Sequence, residues 1–146
     1  MNKWIFWICS LLFSNGLYAQ FQTIFQETYG GANTSDFAEA VIETADGNLV
    51  FAGTTANFGA GGFDMYLVKT DPNGNEIWSQ AYGTAANEVG IGVQELSDGS
   101  LICIGNTNFL PNNPQIFAVK TDAGGNELWA TAVGDLNTSA TDVSYA

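Results

Sequence analysis

The chain has 146 residues, the length of one ordinary domain, and carries Lys+Arg 3 against Asp+Glu 15. The formal net charge of -12 excludes a basic groove for phosphate backbones, so we expect no nucleic-acid partner, and an anionic membrane surface would repel the chain. Its hydrophobic content of 46% is too high for a disordered acidic tail, and the absence of His removes the commonest general base and metal ligand.

The first 19 residues have the organisation of a secretory signal peptide. Lys3 supplies a positive start, and the run from Trp4 to Phe13 is apolar but too short to span a bilayer. Ala19 places a small residue where cleavage is expected. The sequence therefore predicts a mature chain over 20–146 that is secreted or held at the cell surface, with no membrane span.

The rest of the sequence contains an internal repeat. Val68–Trp78 has the sequence VKTDPNGNEIW, and Val119–Trp129 repeats it as VKTDAGGNELW, 51 residues later. A unit of roughly 40 to 50 residues with short strands and glycine turns has the size of one β-propeller blade. One such unit cannot bury both of its faces, so the repeat predicts a neighbouring unit.

Each copy of the repeat predicts four short strands joined by hairpins. Strong turn signals are Asp46-Gly47 and Asp98-Gly99, and further turns are expected at Asn73-Gly74 and Gly124-Gly125. The middle strands are almost continuously apolar, which predicts a sheet that is covered on both faces. The predicted strands cover 38–44, 49–54, 65–70 and 76–82 in the first copy and 90–96, 101–106, 116–121 and 127–133 in the second, with polar loops at 55–62 and 107–115.

The two ends of the mature chain also follow the repeat. Residues 25–30 align with 78–83 at the end of the first copy, which predicts that 21–30 forms a strand that completes a blade. Residues 141–146 match 35–40, which predicts the start of a next blade over 135–146, so the chain looks like the N-terminal fragment of a longer protein. The predicted fold is all-β and consists of four-stranded antiparallel meander blades of a β-propeller, with blades at 31–83 and 84–134 and partial strands at both ends.

The string GFDMYLVKTDPNGNEIW at 62–78, followed by Tyr82-Gly83 and Asp98-Gly99, resembles the repeats of secreted bacterial β-propellers of the SBBP-like group. The likeness extends over residues 21–146 and is greatest to the large surface proteins of Bacteroidetes. It implies a surface-located propeller whose partners include further blades of a longer chain. A lesser similarity to the tryptophan-docking repeat of quinoprotein dehydrogenases does not extend to any quinone ligand.

Residues that recur in both copies are expected to have structural roles, because a position that every blade repeats serves a need of every blade. We expect the repeated acids before the first strand to anchor the connection between blades rather than to line a channel for a cation or a sugar. The repeated Lys residues should pair within a blade, and the repeated Trp residues should pack between blades rather than stack on carbohydrate. These structural positions are Asp36, Glu88, Asp142, Lys69, Lys120, Asp71, Asp122, Gly74, Gly125, Trp78 and Trp129.

A calcium loop is the candidate metal site. Asp71, Asn73 and Asn75 alternate as oxygen ligands do in such a loop. However, Gly74 stands fourth rather than sixth, and the second copy has Ala123-Gly124 in place of oxygen donors. A hairpin turn closed by the Asp side chain accounts for both copies, so no cofactor is assigned.

Three functions remain open at this point. The favoured one is a non-enzymatic extracellular scaffold or binding module for a protein or glycan, because the sequence contains no unrepeated catalytic cluster. The second is a glycosidase-like enzyme with paired carboxylates, for which Glu43, Asp64 and Asp135 are candidates that nothing selects. The third is a calcium-stabilised adhesion protein. Cys103 is the single Cys of the mature chain, and we expect it to be buried and unreactive.

Overall fold

The computed structural model of the chain describes residues 26–32, 35–110 and 113–134, in which all regular structure is β. Two four-stranded antiparallel sheets are present, each with its strands in meander order. The all-β class and the four-stranded meanders predicted from the sequence are confirmed. Sheet 1 consists of β1 (Phe37–Glu43), β2 (Leu49–Thr55), β3 (Asp64–Thr70) and β4 (Glu76–Tyr82), and sheet 2 of β5 (Glu88–Glu95), β6 (Leu101–Leu110), β7 (Asn113–Thr121) and β8 (Glu127–Val133).

The hairpin turns explain why each copy folds as a meander. At the β3–β4 turn, the Asp71 N–H donates to Asn75 O at 2.9 Å and the Gly74 N–H donates to Asp71 O at 3.0 Å. Gly74 has a φ of 85°, a conformation that glycine adopts without a steric penalty. The β1–β2, β5–β6 and β7–β8 hairpins repeat this pattern, so the first and last turns of both sheets are of one kind.

The strand ladders of the two copies are also equivalent. The β1–β2 ladder shifts register between Ala38 and Ala40, and the β5–β6 ladder shifts at the corresponding place between Gly90 and Gly92. The β3–β4 and β7–β8 ladders share a second shift, which follows a Lys in both sheets. Because bulges are built into a sheet by its sequence, these matching shifts show that both copies specify the same sheet.

The two sheets pack face to face around one apolar core. Strand β5 contacts β1, β2 and β3 of sheet 1. Burial of each large apolar side chain stabilises the fold by about 1.5–3 kcal/mol. The core is formed by Val50, Ala52, Met65, Leu67 and Tyr82 from sheet 1 and by Leu101, Cys103, Phe117 and Val119 from sheet 2.

The sheets differ in how far their faces are covered. Strand β3 is buried along its whole length, as its apolar sequence predicts. In sheet 2 the burial alternates, because Leu101 and Cys103 face sheet 1 whereas Ile102 and Ile104 lie half-buried on the other face. Trp129 and Val133, on one face of β8, are exposed by 43% and 53%. Sheet 2 therefore carries apolar side chains on a face that the described residues do not cover.

The prediction of a polar loop over 107–115 is wrong, because strands occupy most of this range. Strand β6 continues to Leu110, β7 begins at Asn113, and these two residues still pair with each other. Pairing satisfies the backbone N–H and C=O groups that a loop of this length would leave for water. The second copy therefore has a longer hairpin where the first copy has a loop.

The strand predicted over 21–30 is not formed in its described part, because residues 26–30 lack regular secondary structure. The described residues offer no free sheet edge of a preceding unit with which this segment could pair. The signal peptide at 1–19 and the blade start at 135–146 lie outside the described residues. Within the described part of the chain, no helix is long and apolar enough to cross a membrane.

Cys103 provides a test of the core. Its side chain has no exposed surface, and burial raises the pKa of its thiol to about 12. In a Cys9→Ser background, we expect native Cys103 to react with a disulfide reagent near pH 8 about a thousandfold more slowly than the unfolded chain, because little thiolate forms. Comparable native and unfolded rates, measured by the absorbance of the released thiol, would contradict this packing.

Candidate functional site

The boundary between successive units is the candidate functional site, because the repeated polar residues gather there. Asp36 lies just before β1, where its Oδ2 accepts hydrogen bonds from the Gly31 N–H at 3.0 Å and from Asn57 Nδ2 at 3.1 Å. Burial alone would raise the pKa of Asp36, but the hydrogen bonds from Thr55, Gly31 and Asn57 outweigh it and lower the pKa. The carboxylate therefore closes the loop that leads into sheet 1.

Glu88 closes the connection into sheet 2 in the same way. Its Oε2 accepts from the Thr84 N–H at 2.9 Å, and its Oε1 accepts from Thr84 Oγ1 at 2.9 Å and from Thr107 Oγ1 at 2.7 Å. Glu88 has no exposed surface, and its own N–H donates to Phe63 O of sheet 1 at 2.8 Å. These contacts give the repeated acids an anchoring role at Asp36 and Glu88; Asp142 lies outside the described residues.

A repeated tyrosine crosses each boundary. Tyr82, at the end of β4, donates its hydroxyl to Gly125 O in the last turn of sheet 2 at 2.6 Å. Tyr29 donates in the same way to Gly74 O, in the corresponding turn of sheet 1, at 2.5 Å. Burial raises the pKa of Tyr82, so its hydroxyl remains a donor. Sequence reasoning gave Tyr82 no role, although the Tyr29-Gly30 pair, which aligns with Tyr82-Gly83, was a signal for one.

A repeated tryptophan uses the same glycine turn. Trp78 packs on Gly125 so closely that a Cβ on that glycine would lie 2.9 Å from Trp78 Cε3. Gly125 has a φ of 81°, so the turn needs glycine both for its backbone and for the space that Trp78 occupies. The equivalent Trp129 is 43% exposed. Trp78 therefore packs between units, while Trp129 has no such turn against it in the described structure.

The repeated Lys residues pair within their own sheets. Lys69 Nζ lies 2.8 Å from Asp46 Oδ2, and Lys120 Nζ lies 3.6 Å from Asp98 Oδ2. Lys69 and then the hydroxyl of Thr44 hold the pKa of Asp46 well below its usual range. Each pair joins the third strand of its sheet to the turn between the first and second strands, so each cation is paired within its own unit.

The calcium candidates form a hairpin turn. Asp71 Oδ1 accepts from the N–H groups of Asn73 and Asn75 at 2.8 and 2.9 Å, and its Oδ2 accepts from Asn75 Nδ2 at 2.7 Å. Asp122 repeats the arrangement with Gly124 and Asn126, and in both copies the Asn side chain is the main cause of a lowered pKa of the Asp. Among the described residues, no group of three or more His, Cys, Asp or Glu side chains is placed to hold a metal ion.

The carboxylates considered for glycoside hydrolysis are dispersed. Glu43 is exposed at the end of β1, and Asp135 lies outside the described residues. Asp64 is fully buried and accepts from the N–H groups of Ala60 and Gly61 at 3.2 and 3.0 Å. Its Oδ1 and Glu88 Oε2 both lie against Gly83. The structure thus brings Asp64 close to Glu88, and both carboxylates are fully buried and hydrogen-bonded within the protein.

Cavities lie against both sheets. One of about 440 Å³, which we name the stacked-ring cavity, is lined by Phe58, Gly59, Tyr66, Ser79, Gln80 and Ala81. A second, of about 370 Å³, lies at the equivalent place in the next unit and is lined in part by Phe117, Ala130, Thr131 and Ala132. The two cavities occupy corresponding places on the two sheets, so they can be compared position by position.

The fold and its boundary contacts define a repeat protein, in which two equivalent sheets stack through contacts that recur from one unit to the next. Comparisons with protein-family models and with curated proteins give no match for this chain.

The two repeated tryptophans supply a matched test of the boundary. We expect Trp78→Ala to lower the free energy of unfolding by about 3 kcal/mol, because it removes a large side chain from the contact between the sheets. Trp129→Ala should lower it by less than about 1 kcal/mol, because that side chain lies on the uncovered face. Chemical denaturation of both variants measures the difference, and equal losses would contradict the assigned packing.

The Asp46–Lys69 pair predicts an acid-dependent loss of stability. The folded pKa of Asp46 is lowered, so its contribution is present above the unfolded pKa of about 3.9 and is lost as the pH falls towards the folded value. We expect Asp46→Asn to be less stable than wild type at neutral pH, with the difference shrinking below pH ~4. Asp98→Asn is the matched control and should show a smaller effect, because the Lys120–Asp98 distance is longer and both groups are more exposed. Thermal melting over this pH range tests both variants. If the melting temperature of Asp46→Asn fell with decreasing pH as steeply as that of wild type, the assignment would be refuted.

Proposed function

We propose that this chain is part of a non-enzymatic, extracellular β-propeller of the SBBP-like secreted bacterial type, in which it acts as a scaffold or binding module. The observation that carries the proposal is that the same boundary contacts occur twice. Tyr29 bonds the turn at Gly74 as Tyr82 bonds the turn at Gly125. A contact that repeats at successive boundaries is the element from which a ring of blades is built.

The uncovered face of sheet 2 supports the same proposal. Ala52, Leu67 and Trp78 of sheet 1 pack towards sheet 2. Their equivalents on sheet 2 are Ile104, Ala118 and Trp129, which are half-buried or exposed. A third unit placed on sheet 2 as sheet 2 is placed on sheet 1 would cover these side chains. Adding further units in the same relative position would lead towards a closed propeller.

A scaffold role is further supported by the way the repeated polar groups are used. The carboxylates of Asp36, Glu88, Asp71 and Asp122 all accept hydrogen bonds within the protein, and Lys69 is paired with Asp46. These groups hold turns and unit connections in place, which is a structural task. The predicted signal peptide and the net charge of -12 suit a protein that remains soluble outside the cell.

The proposal is tested by giving sheet 2 its missing neighbour. Appending a second copy of residues 84–134 after residue 134 should bury Trp129 beneath the glycine turn of the added unit. We expect the free energy of unfolding to rise by a few kcal/mol, because a second apolar interface forms. Acrylamide quenching of Trp129 should decrease when it is followed without the predicted signal peptide, with Trp78→Phe and with the tryptophan of the appended copy also replaced by Phe, so that Trp129 is the single fluorophore.

The control carries Gly→Val at the position of Gly125 in the appended copy only. A side chain at that position would collide with the tryptophan, so both the added stability and the protection of Trp129 should be lost. An appended unit that folds but leaves Trp129 equally quenched in both proteins would show that the units do not stack as propeller blades.

A further inference from the structure

We propose that the stacked-ring cavity binds one pyranose ring of a neutral extracellular glycan. This inference rests on the proposed extracellular binding role and adds a ligand class to it. The cavity of about 440 Å³ lies within the range of small-ligand sites, and Phe58, on its wall, is 46% exposed. An exposed aromatic face beside polar groups suits a sugar ring, which has an apolar C–H face and hydroxyls at its rim.

The aromatic platform is held in place before any ligand binds. Phe58 stacks on Tyr66 with the ring centroids 5.6 Å apart and an angle of 21° between the planes. Tyr66 is 8% exposed, so it is a fixed base for the Phe58 ring. The loop after Phe58 is closed by Asp64, which accepts from the N–H groups of Ala60 and Gly61. Little conformational entropy then remains to be lost when a ring stacks on Phe58.

Comparison of the two copies shows which polar groups are particular to this cavity. Tyr66, Ser79 and Gln80 of the first copy correspond to Phe117, Ala130 and Thr131 of the second, and Asp64 corresponds to Gln115. Two hydroxyls, those of Tyr66 and Ser79, are therefore present only in the first copy, and both residues line this cavity. The residues common to both copies maintain the stack of sheets, whereas these changes gather around one cavity.

The cavity is compatible with a stacked neighbour. The equivalent cavity of sheet 2, of about 370 Å³, persists although sheet 1 is packed against that face, and Gly83 and Thr84, in the connection between the two sheets, line part of it. A unit preceding sheet 1 would stand in the same relation to the stacked-ring cavity. Stacking of blades therefore leaves the site open.

The charge and the ring geometry narrow the ligand class. The net charge of -12 and the nearby carboxylates of Asp36 and Glu76, which act on Tyr66, disfavour anionic sugars. A quaternary ammonium ligand favours several aromatic faces around it. The nearly parallel rings of Phe58 and Tyr66 instead present one flat face. A neutral sugar ring fits this arrangement.

The test is an NMR titration of the ¹⁵N-labelled chain with three neutral disaccharides: N,N′-diacetylchitobiose, cellobiose and maltose. At least one should shift the amide signals of Phe58, Gly59, Tyr66 and Ser79–Ala81, with a dissociation constant on the order of 1 mM. Phe117 and Ala130, on the equivalent cavity, should not shift. Phe58→Ala should weaken binding at least about tenfold, since it removes the platform.

Phe63→Ala is the matched control, because Phe63 is 37% exposed near the same loop but does not line the cavity. It should bind as wild type does, while Ser79→Ala, which reproduces the second copy, should weaken binding. The ¹⁵N spectrum of each variant verifies its fold. The proposal is overturned if no sugar shifts these signals up to about 50 mM, if Phe58→Ala binds as wild type, or if only choline binds. Such a result would leave the scaffold role intact, because that role is tested separately by the appended unit.

Discussion

The whole arrangement depends on one glycine turn that receives two side chains from the neighbouring sheet. Gly125 O accepts the hydroxyl of Tyr82, and the absent side chain of Gly125 leaves the space in which Trp78 lies. The bond is buried, so an unpaired carbonyl or hydroxyl at this point would cost about 1–3 kcal/mol. The apolar core holds the two sheets together, whereas this contact fixes how one sheet is placed on the other.

Asp36 and Glu88, which precede or begin the first strand of each sheet, also fix how successive units are joined. Glu88 ties together Thr84 of the connecting loop and Thr107 of β6, and its backbone N–H reaches sheet 1. Asp36 makes the corresponding contacts in the first unit. Because a buried carboxylate is stable only when its oxygens are hydrogen-bonded, the short connection is fixed in one conformation. Two successive units are thereby joined without a flexible linker.

The elements that were predictable from the sequence are those that local patterns determine. Asp46-Gly47 and its counterparts predicted hairpins because the turn chemistry lies in adjacent residues. Repeated apolar strands predicted the buried core, including Cys103. The bond from Tyr82 was not predicted, because it depends on how two sheets lie relative to each other. The extended β6–β7 hairpin was missed since polar composition favours a loop only when no partner strand satisfies the backbone.

The candidate cavity was beyond sequence reasoning for a similar reason. Phe58 belongs to a glycine-rich loop and Ser79 to β4, and only the fold brings them around Tyr66. Recurrence identified the residues that maintain the structure, as Glu88 and Trp78 illustrate. It gave no weight to positions at which the copies differ. Three of those differing positions, Tyr66, Ser79 and Gln80, line the site for which we propose a ligand.

The tyrosine–glycine contact also gives the stack of sheets a direction, because its donor and its acceptor lie on opposite sides of a unit. Sheet 1 donates a hydroxyl through Tyr82 on one side and accepts one at Gly74 O on the other, so its two sides are not interchangeable, whereas sheet 2 accepts at Gly125 O and carries Val133 at the position of Tyr82. Gene duplication of a segment that includes one unit therefore yields an array whose members all point the same way, whatever their number. If sheet 1 were inverted, two tyrosines would face each other and two carbonyls would lack donors. Addition of units by direct tandem duplication is therefore the route that this geometry favours.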